Sequence, residues 1–314
     1  MARTTTRYLD GGVRAYKTSG SVDGPLESAA TYHFVSDEEA LDHAVAPDMS
    51  RAVCMTANSA VCIDQDGSLL WRYGLEPRFT SRDLYNPKCA FSLDGASVWV
   101  YRPDAMSDRG PDMLVALSAG TGEVLASVEL DTVGQGGWFA MHPDKKNVLF
   151  HVGEGQDGAK VFRATLWNDR IDLHIYKWTD PCFVDLSPDG RWFMTTDLDV
   201  MFHSFPSGEV VLRLPIEAFG YNGDEDDEDE EEEEAGITPC GGFLSPDIAV
   251  VVVSGETNEK EWHHCHKVDL RTGAPLDRLD PHSRDIYDFE PLGDGTWLVS
   301  DADGKPVRYR LAGL

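Results

Sequence analysis

Apolar and polar positions follow a short pattern that returns at intervals along the chain. Each clear copy has an apolar residue, a small residue or His, then Pro or Leu and then Asp, often with Gly next, before a run rich in β-branched and aromatic residues. The clear copies end at Asp48, Asp94, Asp144, Asp189 and Asp247, and a weaker copy contains Asp294. The intervals between these aspartates are 46, 50, 45, 58 and 47 residues. A period of this size is typical of stacked or circular repeats.

Each repeat predicts four antiparallel strands. In the second repeat, Asp94-Gly95 and Thr121-Gly122 supply tight turns, and the segments between them contain the residues that β-strands favour. The strands predicted there are Lys88–Ser92, Ala96–Arg102, Met113–Ser118 and Glu123–Leu130. Four such strands in a repeat of 45–50 residues describe the blade of a β-propeller. We therefore expect an all-β fold, a β-propeller of four-stranded antiparallel blades.

Six blades are counted between residues 41 and 314, in a single domain that spans 1–314. The last blade ends after three strands, predicted at Ile286–Leu292, Thr296–Ser300 and Pro306–Leu311. Because an unpaired strand edge invites aggregation, we expect the missing outer strand to come from the amino-terminal segment, which is β-like at Val13–Thr18 and Ala29–Val35. Seven blades is the alternative, if residues 8–35 form a degenerate blade.

The recurring phrase resembles that of bacterial WD-repeat, YVTN and quinoprotein-like β-propellers. Two segments, Val61–Trp71 and Val115–Leu125, are similar to the quinoprotein-like repeat in particular. The resemblance covers residues 41–314 and implies a fold rather than one function. The chain departs from quinoprotein dehydrogenases because it has fewer blades, a repeat tryptophan only at Trp71 and no adjacent cysteine pair. Hence no quinone is expected, and no cofactor is indicated.

Composition and net charge limit the kinds of binding partner and the cellular location that we expect. Hydrophobic residues make up 41% of the 314 residues, which is ample for a core, and six cysteines do not suggest a disulfide framework. No apolar run approaches the roughly 18 residues of a membrane helix, and the first residues lack a secretion signal, so a cytoplasmic location is expected. The formal charge of −28 opposes binding to nucleic acids or to an anionic membrane. A monomer with a basic protein partner fits this charge.

Eleven of the acidic residues form one block, residues 224–234, which leaves a charge of −17 for the rest of the chain. Repulsion between like charges predicts a disordered surface loop over residues 222–236. We expect the basic partner to bind there, at Asp224, Glu225, Asp226, Asp227, Glu228 and Asp229. A solvated insertion without a function and a weak sink for divalent cations are the alternatives. A structured calcium site is not expected, because the run contains no Gly for the sharp turn.

A second candidate is the run Trp262-His263-His264-Cys265-His266. Side chains alternate along a strand, so His264 and His266 share one face while His263 and Cys265 share the other. The two imidazoles of His264 and His266 form a candidate metal site for Zn²⁺ or Ni²⁺, with a third ligand from a neighbouring element. The same alternation also fits a strand with one wet face and one packed face.

Cysteines and repeat aspartates have simpler interpretations. Counting outward from a turn at Ala57-Asn58 pairs Cys54 with Val61 and Cys62 with Val53, so these two thiols are not opposed. Cys182 and Cys240 each lie seven residues before a repeat aspartate. This position favours a crowded inner strand, and a pair of thiols that lines the channel is the alternative. The aspartates Asp94, Asp189 and Asp247 are expected to brace tight turns.

Three classes of function remain open. The first is a non-enzymatic interaction platform, favoured by the acidic surface and by the lack of a recognisable catalytic motif. The second is an enzyme, a lyase, lactonase or hydrolase, that acts on a small molecule in the central channel. Its candidate residues lie on or near first strands, at Asp42, His43, Asp185, Asp285 and Asp288. The third is a regulatory module that senses a ligand without turnover.

Overall fold

The computed structural model describes residues 4–18, 23–78, 86–178, 181–221, 234–257, 260–283 and 285–311. Within these ranges the strands form seven antiparallel sheets, each a β-propeller blade. Contacts divide the chain into two compact units. The first contains Met1–Gly20 and Leu26–Asp180, and the second contains Ser21–Pro25 and Pro181–Leu314. The expectation of a single domain over residues 1–314 stays a prediction.

The first unit contains blades one to four. Blade one has three strands, β1 Thr4–Leu9, β2 Gly12–Lys17 and β4 Ser28–His33, while β3 Gly24–Pro25 belongs to the other unit. Blade two is β5 Asp42–Val45, β6 Arg51–Met55, β7 Ser59–Asp64 and β8 Leu69–Gly74. Blade three is β9 Lys88–Phe91, β10 Ser97–Arg102, β11 Asp112–Ser118 and β12 Val124–Leu130. Blade four is β13 Gly136–Met141, β14 Asn147–Gly153, β15 Ala159–Trp167 and β16 Arg170–Ile175.

The second unit contains blades five to seven. Blade five is β17 Cys182–Leu186, β18 Trp192–Thr196, β19 Val200–Ser204 and β20 Val210–Leu214. Blade six is β21 Glu234–Ser245, β22 Ile248–Thr257, β23 Lys260–Asp269 and β24 Ala274–Leu279. Blade seven is β25 Glu290–Pro291, β26 Thr296–Ser300 and β27 Pro306–Arg310, completed by β3.

The count of six blades is wrong, and the alternative of seven holds. The extra blade is the amino-terminal one, which lacks the repeated phrase and therefore does not show in the period. It is stabilised by apolar side chains such as Val13 and Tyr32, which are fully buried against blade two. The Tyr32 hydroxyl also donates a 2.6 Å hydrogen bond to the carbonyl of Met49. Blade one is therefore stabilised by buried side chains, although it lacks the repeated turn sequence of the other blades.

The amino-terminal segment also supplies the fourth strand of blade seven, as expected, but not from the predicted stretches. Pro25 pairs with Val307 and Gly24 pairs with Arg308. The two predicted stretches lie instead in β2 and β4 of blade one. Of the strand predicted at Ile286–Leu292, only Glu290–Pro291 is a strand. The first part of this segment is not. It contains a one-turn 3-10 helix, Ile286–Asp288, because the Asp285 carboxylate accepts the N–H of Tyr287 and stabilises a turn.

Local details of the blades confirm several predictions. Cys54 pairs with Val61 and Cys62 pairs with Val53 across β6 and β7. The Asp94 carboxylate accepts the Ala96 N–H at 3.0 Å, and the Asp189 carboxylate accepts the Arg191 N–H at 3.1 Å, so both brace their turns.

The prediction for Asp247 is wrong. Its turn is braced by the hydroxyl of Ser245, which accepts the N–H groups of Asp247 and Ile248 at 3.3 and 3.1 Å. Ser245 pairs directly with Ile248, so this turn is shorter than those at Asp94 and Asp189.

The hydrophobic core is divided among the interfaces between neighbouring blades of each unit. Trp71 of blade two illustrates this packing, because its indole N–H donates a 3.0 Å hydrogen bond to the Ala119 carbonyl of blade three. Gly122 lies under the same ring with φ +73°, and a Cβ built there would be 2.6 Å from the indole. The tryptophan of one repeat therefore needs the glycine turn of the next.

A buried ion cluster joins blades two and three. The Asp104 carboxylate, 2% exposed, lies 2.7 Å from the Arg102 guanidinium and 3.0 Å from that of Arg109. Arg109 also donates to the carbonyls of Ala57 and Leu75 in blade two, at 3.1 and 3.2 Å. The loop between β10 and β11 thus anchors the neighbouring blade.

Among the described residues, no helix has the length and apolar character that crossing a membrane requires.

Candidate functional site

Two of the carboxylates predicted for the channel tie neighbouring blades together. The Asp42 carboxylate on β5 accepts the N–H of Cys89 on β9 at 2.7 Å. The Asp185 carboxylate on β17 accepts the N–H of Phe243 on β21 at 2.8 Å. A Cβ at Gly242 would meet the Asp185 carboxylate at 2.4 Å, so this position has room only for hydrogen. Both aspartates therefore have a structural role.

The remaining predicted carboxylates lie near the start of blade seven. Asp285 stabilises the turn before β25, and Asp288 accepts a 2.6 Å hydrogen bond from the Ser300 hydroxyl on β26. Asp42 and His43 belong to the first unit and the other three candidates to the second.

His43 differs from the carboxylates. Its Nε2 atom is buried and has no hydrogen-bond partner among the described residues. The ring of Tyr8 lies 6.1 Å away, and Lys88 forms a 3.6 Å ion pair with the adjacent Asp42. Burial lowers the pKa of His43 and so favours the neutral imidazole. The negative charge of Asp42 has the opposite, smaller effect. Burial also raises the pKa of Asp42, although Lys88 opposes the shift.

The cysteines are free thiols with raised pKa values. Burial raises the pKa of Cys54, Cys62, Cys240 and Cys265 to about 12, and it also raises the pKa of Cys89 and Cys182. The thiolate is the nucleophilic form, so these side chains are unreactive at neutral pH. Cys182 begins β17 and Cys240 lies within β21. The alternative of a thiol pair that lines the channel stays a prediction.

The histidine pair on β23 is the best defined polar cluster outside the blade interfaces. The Tyr221 hydroxyl lies 2.7 Å from Nδ1 of His264 and 3.1 Å from Nε2 of His266. Both imidazoles therefore lie on one face of the strand, as the alternation predicted. We call Tyr221, His264 and His266 the Tyr-His cluster.

Aromatic and cationic side chains surround the Tyr-His cluster. The Trp262 ring stacks on Tyr221 with centroids 5.5 Å apart, and the Phe219 ring lies 5.2 Å from His266. The Arg278 guanidinium on β24 donates a 3.0 Å hydrogen bond to the Tyr221 hydroxyl. His266 is 5% exposed, and burial lowers its pKa to about 4, so the ring is neutral at pH 7.

Tyr221 and Arg278 are not among the residues predicted from the sequence. Arg278 could have been found by register, because it pairs with His266 across β23 and β24. Tyr221 follows a one-turn 3-10 helix, Ile216–Phe219, and no period relates it to β23. Only the tertiary structure places its hydroxyl against both imidazoles.

Part of the acidic block lies outside the described residues. The partner-binding residues predicted at Asp224, Glu225, Asp226, Asp227, Glu228 and Asp229 fall there, as do residues 222–233 of the predicted loop. Residues 234–236, which the sequence placed in the loop, begin strand β21, where Glu234 pairs with Glu256. The block thus begins three residues after Tyr221 and ends on the first strand of blade six.

In the described part of the chain, no three side chains drawn from His, Cys, Asp and Glu converge as a metal-binding group. The Tyr-His cluster is not of that type, since its third donor is a phenol. The Zn²⁺ or Ni²⁺ site predicted at His264 and His266 therefore stays a prediction, with Tyr221 as the neighbouring donor.

Comparison with known proteins supports the fold. No family model matches the chain, and no curated protein sequence matches it. A solved structure of Kuenenia stuttgartiensis hydrazine synthase is similar, with a TM-score of 0.53 and 14% sequence identity. The similarity covers 86% of this chain and 79% of that chain. At this identity it shows the β-propeller fold alone, and the resemblance to WD-repeat, YVTN or quinoprotein-like families stays a prediction.

Proposed function

We propose that the protein is a non-enzymatic interaction platform that binds a basic protein partner through its acidic block. The observation that carries this proposal is the charge distribution. Eleven consecutive carboxylates lie in the sequence between the last strand of blade five and the first residue of blade six, in a chain whose formal charge is −28. Such a charge density steers cationic surfaces toward it and raises their association rate.

The use of the first-strand carboxylates supports a platform rather than an enzyme. Asp42 and Asp185 accept backbone N–H groups of the next blade, and Asp288 accepts the Ser300 hydroxyl. A general acid or base needs a carboxylate within reach of a substrate proton, whereas these oxygens already hold strands together. The rigid blades would then serve to present the block, in the cytoplasm according to the sequence prediction.

One observation favours the enzyme alternative. His43 has a buried nitrogen without a hydrogen-bond partner in the described residues, beside Asp42, Lys88 and Tyr8. Groups of this type can exchange protons with a small molecule. The similar hydrazine synthase structure is named as an enzyme, and a propeller can host either function.

The first experiment compares affinity purification from the native host at low salt for three forms of the chain. One is the wild type, and the second carries amides in place of the six carboxylates of residues 224–229. The matched control removes the same number of charges from exposed side chains elsewhere. These control positions are Asp23, Glu27, Asp37, Glu39, Asp169 and Asp172.

We expect a basic protein that the wild type and the control bind and the block variant loses. Its affinity, measured with purified components, should fall as salt rises. If the block variant retains the partner, or if no basic partner is recovered by any form, the proposal is wrong. An altered turnover of a small molecule in a His43→Ala variant would then support the enzyme alternative.

A further inference from the structure

The Tyr-His cluster brings three metal-binding atoms together on blade six. They are the Tyr221 oxygen, Nδ1 of His264 and Nε2 of His266, with oxygen-to-nitrogen distances of 2.7 and 3.1 Å. His264 and His266 are two residues apart on β23, so the strand itself holds the imidazoles on the same face. The third donor comes from a different element, the segment that follows the 3-10 helix Ile216–Phe219.

The spacing of these atoms fits a planar metal site. With bonds of ~2.0 Å, neighbouring ligand atoms of a square-planar ion lie about 2.8 Å apart. The two oxygen-to-nitrogen distances of the cluster, 2.7 and 3.1 Å, bracket this value. Two imidazoles on opposite sides of such an ion would hold their ring centroids about 6.3 Å apart. The centroids of His264 and His266 are 6.4 Å apart.

The surroundings suit a phenolate ligand. The Arg278 guanidinium donates a hydrogen bond to the Tyr221 oxygen, which stabilises its deprotonated form. Trp262 and Phe219 fix the rings of Tyr221 and His266 by stacking and contact. Arg278 also repels a cation, and the phenolate charge and the acidity of the whole chain oppose this repulsion.

We propose that Tyr221, His264 and His266 bind a divalent transition-metal ion of the kind that prefers planar nitrogen and oxygen ligands, with Cu²⁺ the strongest binder. On binding, the metal forms one bond to the phenol oxygen and one to each imidazole nitrogen. The phenol proton leaves to solvent, and no electron is transferred. Copper is favoured over nickel and zinc because affinity for such donors peaks at Cu²⁺.

The test is a titration of purified, tag-free full-length protein with Cu²⁺ in the presence of a competing chelator. The wild type should bind one ion at the Tyr-His cluster more tightly than at any other site on the chain. The bound ion should give a phenolate-to-copper charge-transfer band in the visible spectrum. Tyr221→Phe retains the ring that stacks on Trp262 and should lose that band. His264→Gln and His266→Gln should each weaken binding by more than the roughly 10–100-fold that loss of an outer-shell partner costs.

Two controls make the test specific. His263→Gln changes the neighbouring imidazole on the opposite face of β23 and should leave affinity and spectrum unchanged. Deletion of residues 224–234 should also preserve the charge-transfer band, because the three donors lie outside the block. The proposal is overturned if the wild type shows no band. It is also overturned if the Tyr221 and His264 variants bind as the wild type does, or if only the deletion abolishes binding.

Discussion

At the scale of single residues, the polar groups of this chain mostly serve the joints between strands and blades. Asp42 and Asp185, two of the predicted channel carboxylates, accept backbone N–H groups, and the buried carboxylate of Asp104 is held by two arginines. A buried carboxylate without such partners would cost several kcal/mol. The partners therefore explain how these acids are accommodated among the blades.

The buried ion cluster gives the sharpest stability prediction. We expect Asp104→Asn to lower the free energy of unfolding by about 3–5 kcal/mol, because it leaves two buried guanidinium groups without a counter-charge. Urea unfolding monitored by tryptophan fluorescence measures the change. Asp108→Asn is the control, since Asp108 is exposed and has φ +53°, which asparagine also adopts. Equal effects of the two substitutions would show that the cluster does not stabilise the fold.

Buried neutral histidines predict that the protein loses stability in mild acid. His203 is fully buried between Thr195 and the Gly208 carbonyl, and burial lowers its pKa to about 4 from an ordinary value of 6.5. Above pH 6.5 both the folded and the unfolded states are neutral, so this residue adds no pH dependence. Between pH 6.5 and pH 4 only the unfolded state takes up the proton, which costs the folded state up to about 3 kcal/mol.

The measurement is the free energy of unfolding at several pH values across that window, for the wild type and for His203→Gln. The variant should show a shallower loss of stability as the pH falls, whatever its stability at neutral pH. His174→Gln is the control, because His174 is exposed on β16. A slope unchanged by His203→Gln would mean that other groups cause the acid sensitivity.

For the strands and blades, local sequence predicts an element well where turn-forming residues flank a run of strand-favouring residues. Strand β26 has the predicted bounds, Thr296–Ser300, because a glycine-containing turn precedes it. Blade one and strand β3 were harder to predict. A two-residue strand such as Gly24–Pro25 has almost no pattern of its own, and it exists because β27 offers a free edge.

The contact between Trp71 and Gly122 gives a prediction about the packing of blade two against blade three. Gly122→Ala should destabilise the protein more than Gly11→Ala, by about 1–3 kcal/mol, because only the first methyl group would meet a packed ring. Both glycines have a φ near +75°, so the backbone cost of the two substitutions is matched. A Cβ at Gly11 would have no neighbour within 4 Å, whereas one at Gly122 would lie 2.6 Å from Trp71. Chemical denaturation measures both, and equal losses would show that the indole moves aside at no cost.

For the whole molecule, the large negative charge affects both stability and binding. A formal charge of −28 makes the folded chain repel itself, and the acidic block contributes eleven of those charges. The same charge that would attract a basic partner therefore destabilises the folded state.

Salt should accordingly raise the melting temperature. Between about 0.01 M and about 1 M NaCl the screening length falls from about 30 Å to about 3 Å, which removes most of the repulsion. We expect a smaller rise for a variant that lacks residues 224–234, measured by thermal unfolding under the same conditions. An identical rise in both proteins would mean that the block does not contribute to the repulsion.

Five features could be predicted without a structure: the repeat, the four-stranded blades, the register of Cys54 and Cys62, the shared face of His264 and His266, and the net negative charge. These follow from interactions between residues close in the chain, such as turn geometry and side-chain alternation. Four others became known from the folded chain: the seventh blade, the strand β3, the structural role of Asp42 and Asp185, and the position of Tyr221. Each of these depends on a partner from a distant part of the chain, and no local pattern encodes which distant partner a buried side chain will meet.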